Sequence, residues 1–255
     1  KAFHEYFEIV IADTPGLLEI VFRMRYQKLC IDMNVPGYEA SLYPDGQEKD
    51  DYDDHSSHIL IRYRQTNEFI GTTRLIMFDK KNPKKLFPVE QYTQIDSELF
   101  SFKKISRQHT GEISRFLIIK RFERRKAERR NFKTRKSVPG IACPDRRLIK
   151  NLTLVLAAGI VRLSARYNIS NWITIMDPAL NRILVHYSLD LTPIGPAIQH
   201  YGLRRPYYGK LIKIFNKMKQ DNCDAWGVVT EHGKYSDYLS RETCTKNVEV
   251  SDSHK

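Results

Sequence analysis

Two of the most apolar stretches of this chain each carry an arginine. One runs from Phe69 to Met77 with Arg74 in its middle; the other runs from Glu112 to Lys120 and opens on Glu112-Ile-Ser-Arg115. Both read as β-strands, being short runs rich in apolar and β-branched residues. A charge in such a strand is seldom buried unless it is paired, because losing its water without a partner is unfavourable. The chain must therefore fold so that carboxylates reach these strands. A supply stands upstream in Glu48-Lys-Asp50-Asp51-Tyr52-Asp53. A third arginine, Arg25, falls near the centre of the apolar face of a helix predicted from Pro15 to about Cys30. It is either paired in the core or reaching into a cleft.

Strand alternation puts Ile70, Thr72, Arg74 and Ile76 on one face. Glu112 and Arg115 are three residues apart, so a regular strand would turn them to opposite faces. A bulge between them would bring both to one side, and bulges are common beside active sites. The residues alone thus point to a buried ion network near a cleft, which would serve equally well to stabilise the sheet.

The remaining pattern supplies the frame. Phe7 to Ala12 reads as a strand, and Thr14-Pro15 as an N-cap with proline at the first helical position. A loop rich in Asp, Gly and Pro spans Pro36 to His55, followed by strands from Ser57 to Arg64 and Phe69 to Met77. After the Glu112 strand, Asp145 to about Tyr167 reads as a long, mostly buried helix, and Trp172 to Met176 as a strand. Asp177-Pro178 caps a short helix with Leu180, Ile183, Leu184 and Tyr187 as its apolar stripe. Pro193 to Tyr201 is expected to be the final strand, and Tyr208 to Lys219 a helix. That order predicts an α/β (α+β) fold, a three-layer α-β-α sandwich around a mixed sheet. One domain is expected over 1–255, with a polar tail from about Val250.

Charge is unevenly spread. The net is +12, and residues 120–136 hold ten Lys and Arg against Glu123 and Glu128, a net of +8. An acidic partner or plain solvation would each account for that run. Four scattered cysteines, Cys30, Cys143, Cys223 and Cys244, have neither disulfide-framework nor zinc-site spacing, so reduced thiols and no metal are expected. The longest apolar run, Leu152 to Val161, is too short to span a bilayer. No signal-peptide pattern opens the chain, which begins at Lys1, and a cytoplasmic location is expected. No G-x-S-x-G, H-E-x-x-H or Walker pattern occurs, nor a helix-turn-helix or RRM motif, so nucleic acid is not the expected partner. His55 and His58 suit a strand face or plain solvation better than a metal. His200-Tyr201 near Arg204-Arg205 would line a pocket or form a basic surface.

Taken together, the charged runs resemble a known family. Arg25-Tyr26, Glu48-x-Asp50-x-x-Asp53, Ser56-Ser57-His58, Gly71-Thr-Thr-Arg74-Leu-Ile and Glu112-Ile-Ser-Arg115-Phe occur in the order and spacing of acyl-homoserine-lactone-synthase-like proteins. These are a branch of the GNAT acyltransferases. Met176-Asp177-Pro178-Ala-Leu and Gly195-Pro-x-x-x-x-Tyr201-x-x-Arg204-x-Pro206 resemble the N-acyl amino acid synthases and PEP-CTERM/exosortase-associated members. The likeness extends from about residue 7 to about residue 230.

The resemblance implies a GNAT-like sheet splayed between two central strands, with an acyl-pantetheine arm lying in the splay. It also implies a cleft built from Arg25, Asp50, Asp53, Arg74, Glu112 and Arg115. The donor it implies is acyl-phosphopantetheine on acyl carrier protein, with no permanently bound cofactor. Two departures refine this. Leu29 and roughly Val35 stand where acyl-homoserine lactone synthases carry aromatics, which points away from S-adenosylmethionine. No glycine occurs from Glu112 to Pro139, so a backbone cradle for the CoA pyrophosphate is not expected there.

The expected reaction is transfer of a fatty acyl group to an amino acid or similar small amine, with Glu112 accepting the amine proton. Arg74 and Arg115 would order the acidic loop, and one arginine would clamp the acceptor carboxylate. Ser114, Phe116 and Ile118 would hold the acyl-pantetheine chain. Lys120, Arg121, Arg124, Arg125, Arg129, Arg130, Arg146, Arg147 and Lys150 would dock the carrier protein. An acyl-homoserine lactone synthase and a non-catalytic GNAT-like module binding carrier protein or nucleic acid are the alternatives.

Overall fold

The structure, a computed structural model, describes residues 2–123 and 152–239. In chain order its elements are α1 (Ala2–Tyr6), β1 (Phe7–Ile11), α2 (Pro15–Tyr26), β2 (Ser56–Tyr63), β3 (Glu68–Met77), α3 (Pro88–Tyr92), β4 (Thr110–Ile118) and α4 (Lys120–Glu123). After 152 come α5 (Leu152–Arg166), β5 (Asn171–Met176), α6 (Pro178–His186), β6 (Thr192–Pro193), β7 (Ile198–Gln199), β8 (Leu203–Lys210), α7 (Leu211–Asp221) and α8 (Cys223–Thr230). The strands form a mixed sheet in the order β1-β2-β3-β4-β5-β8-β6, with β7 paired to β8.

Alternation along β2 separates the two faces. Ile59, Ile61 and Tyr63 join the core beneath α5, while Leu60 joins Val21 of α2 on the other side. Three layers result, as expected. Gly159 is what lets α5 lie so close, since a Cβ there would stand 2.1 Å from Cδ1 of Ile59. On β3 the expected face is broken at one place. The register with β2 slips between Ile61 and Arg62, and Ile70 packs with Leu75 in the α5 core while Ile76 belongs to the opposite cluster.

Thr14 caps α2 as expected, accepting the Leu17 N–H at 3.4 Å, but the helix changes pitch after Tyr26 and continues as a π-helix over Gln27–Asp32. The main correction lies downstream. Pro193 to Tyr201 contributes only fragments of strand, and the long final strand is Leu203–Lys210, all but its first two residues paired antiparallel with β5. The helix expected from Tyr208 begins at Leu211. Ile183, read into the apolar stripe of α6, is exposed. The long helix α5 is described only from Leu152, so its expected start at Asp145 lies outside the described residues.

The sheet opens between β4 and β5. These strands run parallel and pair only over Thr110 to Ile113 against Asn171 to Thr174. Thr174 closes the fork by donating its hydroxyl to the Ile113 carbonyl at 2.8 Å. Beyond that point the two strands part, and β4 runs on through Ser114 to Ile118 with no strand on that side among the described residues.

Candidate active site

The expected bulge is present and falls at Arg115. Arg74 pairs with Ser114 and Thr72 with Leu117, so Arg115 and Phe116 together stand opposite Thr73. Arg115 takes a left-handed backbone, φ +51°, which a bulge accommodates at some strain. The extra residue turns its guanidinium to the side where Arg74 already points.

There the three arginines meet three carboxylates in a closed ring. Arg25 donates to Glu48 at 2.5 Å and to both oxygens of Asp53 at 2.7 and 3.0 Å. Arg74 donates to Asp53 at 2.8 Å and to both oxygens of Asp50 at 2.6 and 3.0 Å. Arg115 donates to Asp50 at 2.9 Å and to both oxygens of Glu48 at 2.8 and 3.1 Å. Each guanidinium bridges two carboxylates and each carboxylate two guanidiniums, so the charges cancel. Arg25 is thus paired in the core, at 0% exposed. Burial alone would raise the Glu48 carboxyl, but Arg115 and Arg25 outweigh it and hold it at about 2. Asp50 and Asp53 are likewise held below their ordinary values against burial, by Arg74 foremost for Asp50 and by Arg25 for Asp53.

Glu48 is the ring member that a strand-centred reading passes over. The run Glu48-x-Asp50-x-x-Asp53 marked it only through the family resemblance, since strand and helix patterning alone does not separate it from Asp51; Asp51 is exposed. The ring also changes the role of the arginines. The Arg74 and Arg115 guanidiniums are already committed to carboxylates, and Tyr38 lies over Arg115 at 5.2 Å. An acceptor carboxylate clamped by either of them would compete with the ring carboxylates they already hold.

Glu112 is brought to the same side but stands apart from the ring. It is 1% exposed, and its Oε2 accepts the Val89 N–H at 2.9 Å. Burial pushes its carboxyl up to about 8, opposed only in part by that N–H and by Arg74. His58, read as solvated or on a strand face, lies buried on β2 with neither ring nitrogen hydrogen-bonded, and burial with the Arg25 charge lowers it to about 3. His55 is half-buried.

A cavity of about 650 Å³ passes these residues and runs through the open fork of the sheet. Glu112, Arg74, Ser114 and Arg115 line its polar part, with His200, Tyr201 and Arg204 also on its wall. Ala157, Ile160, Leu184 and Leu191 line an apolar part against α5 and α6. Ser114 is held by Arg74, whose Nε donates to its hydroxyl at 2.9 Å. Phe116 lies on the wall, whereas Ile118 lies past it and packs on the α5 core. Lys120 is exposed just after β4, and Arg121 is part of α4. Arg124, Arg125, Arg129, Arg130, Arg146, Arg147 and Lys150 lie outside the described residues. Among the described residues no cluster of side chains could hold a metal, and no helix is long and apolar enough to cross a membrane.

The stretch that carries the ring is also the one that matches a known domain. Residues 24–131 match the acetyltransferase (GNAT) domain. Over that stretch the chain is similar to the GNAT acyltransferases. Its fold is similar to that of TofI, solved in a ternary complex with an inhibitor and MTA, at TM-score 0.54 and 14% identity over 86% of this chain and 96% of that one. MesI, a CoA-dependent acyl-homoserine lactone synthase, matches at 0.52 and 15%, covering 84% of this chain and 94% of its own. BjaI, another CoA-dependent acyl-homoserine lactone synthase, solved with SAM and isopentyl-CoA, matches at 0.51 and 17%, covering 88% and 98%. At such identities the shared property is the fold. No curated protein matches the chain in sequence.

Proposed function

We propose that the chain is an N-acyltransferase that moves a fatty acyl group from a carrier-bound thioester to the amine of an amino acid or similar small acceptor. The observation that carries this reading is the cavity through the β4–β5 fork, apolar against α5 and α6 and bordered at its polar part by a buried carboxyl raised to about 8. An acyl chain fits the first and an amine the second. The amine nitrogen attacks the thioester carbonyl, the C–S bond breaks, and the thiolate leaves. Glu112 takes the proton that the amine gives up, directly or through water, and an acid-base group near the working pH suits that exchange. The unpaired edge of β4 beyond Ile113 offers backbone groups for the carbonyl oxygen. Holding both reactants in one fork supplies much of the rate.

The donor we favour is acyl carrier protein, in the cytoplasm. Support comes from the net +8 of residues 120–136 and from the lack of glycine between Glu112 and Pro139. CoA is the second reading for the donor, favoured by the CoA-dependence of MesI and BjaI. An acyl-homoserine lactone is the second reading for the product, and mass spectrometry separates a lactone from an acyl amino acid. The donor test reverses Arg124, Arg125, Arg129 and Arg130 to Glu. KM should rise about tenfold or more for the carrier-bound thioester, the loss expected of several charge contacts, with a short pantetheine thioester spared. Equal effects on both would sink the docking role.

A further inference from the structure

Arginines on the cavity wall divide into two kinds. Arg74 and Arg115 each hold two ring carboxylates, whereas Arg204 is outside the ring. Among the described residues the Arg204 guanidinium meets its neighbour's carbonyl, Leu203 O at 3.4 Å, and an Asp177 carboxylate oxygen at 3.7 Å. Both are longer than the roughly 2.7–2.9 Å of a charge-assisted bond. Its side chain is 27% exposed. The fork is therefore accessible and only loosely held.

Its position is nonetheless fixed. Arg204 pairs with Ile198 in the β7–β8 hairpin, whose tip turns through Tyr201 at φ +52° and Gly202 at φ +101°. His200 N donates to Gly202 O at 2.9 Å across that tip. His200 stacks on Tyr92, centroids 5.2 Å apart, and Tyr201 meets Tyr38 edge-on at 5.1 Å. The tip is pinned between the end of α3 and the loop that carries Tyr38, and Tyr38 in turn covers Arg115.

The geometry points to Arg204 as the residue that binds the carboxylate of the acceptor, which makes the acceptor an amino acid with a free carboxyl group rather than a simple amine. This rests on the acyl-transfer reading and assigns to Arg204 the clamp that the ring denies to Arg74 and Arg115. A bidentate carboxylate would replace the loose Asp177 contact with two short bonds, and an acceptor without one would leave that contact as it stands.

The test compares free amino acids with their own carboxamides as acceptors, using the intact chain, R204Q and R204K. For the intact chain, kcat/KM should favour the acid by about tenfold or more, expressed in KM, as a charge-assisted pair implies. R204Q should bring that ratio close to one. R204K should restore only part of it, since an ammonium lacks the planar fork. Acids and amides acylated alike by the intact chain, or an unchanged preference in R204Q, would overturn the assignment while leaving acyl transfer in place. Acylation of neither kind of acceptor would overturn the transfer reading and this site together.

Discussion

Glu48 and Glu112 border the same cavity and are buried to the same degree, at 0% and 1% exposed. Yet one is held at about 2 and the other pushed up to about 8. The difference is in their partners: two guanidiniums for Glu48, and one backbone N–H with a more distant guanidinium for Glu112. Burial pushes both carboxyls up, and the company each keeps decides its charge. The ring is accordingly a region of fixed charge that sets the shape of the cleft. The fork beside it holds a carboxyl whose proton can be exchanged near neutral pH.

Removing one partner from the ring is the strongest way to break this contrast. Glu48→Gln leaves Arg25 and Arg115 short of a carboxylate in the core, which should destabilise the fold by about 3–5 kcal/mol in urea unfolding at pH 7. Its pH dependence has a definite sign. The folded value of about 2 lies below the ordinary 4.5, so Glu48 contributes stability above about pH 4.5 and loses it as pH falls toward 2. The variant should lack that part of the acid limb. A loss under about 1 kcal/mol would mean that the ring is no tighter than surface ion pairs.

Glu112→Gln should do the reverse to stability. Below about pH 4.5 Glu112 is protonated whether folded or not and contributes nothing. Between there and its folded value of about 8, the folded chain keeps a proton that the unfolded chain has lost, so stability falls as pH rises. The variant should therefore gain on the order of 4 kcal/mol over the parent at pH 8 and match it at pH 4. Turnover should drop about a hundredfold with little change in acceptor affinity, and the rise in rate toward pH 8 should vanish. Unchanged acylation would remove Glu112 from the base role.

The smallest effect is expected beside the ring rather than in it. His58 is buried, neutral and without a hydrogen bond, 3.5 Å from Asp53. Replacing it by Leu should shift stability by no more than about 1 kcal/mol in either direction, because no bond is lost. A loss of several kcal/mol would enlarge the ring to include His58.

Much of this was legible from pattern alone. Arg74 and Arg115 inside apolar strands pointed to a buried network, and the spacing of Glu112 and Arg115 raised a bulge as one way to share a face; the network is present and a bulge falls at Arg115 and Phe116. What was hidden depends on contacts distant in sequence. Apart from the family-like motif, no local pattern distinguishes Glu48 from Asp51; the loop's docking on α2 and β4 turns Glu48 inward. Strand β8 was missed because Pro206 and Gly209 interrupt it and because Tyr208, Leu211, Ile212 and Phe215 share a helical period. Its pairing with β5 overrides both signals. That same strand carries Arg204, which the sequence left between a pocket wall and a basic surface; it stands on the cavity wall.

A closed ring has no member that can be exchanged alone. Any single replacement leaves two charged groups each with half its company, and only a matched change on the opposite side of a contact restores balance. The six positions should thus drift through evolution as one inherited block, kept whole or abandoned whole. An intermediate with five of the six would carry the loss expected of Glu48→Gln until the matching change arrived.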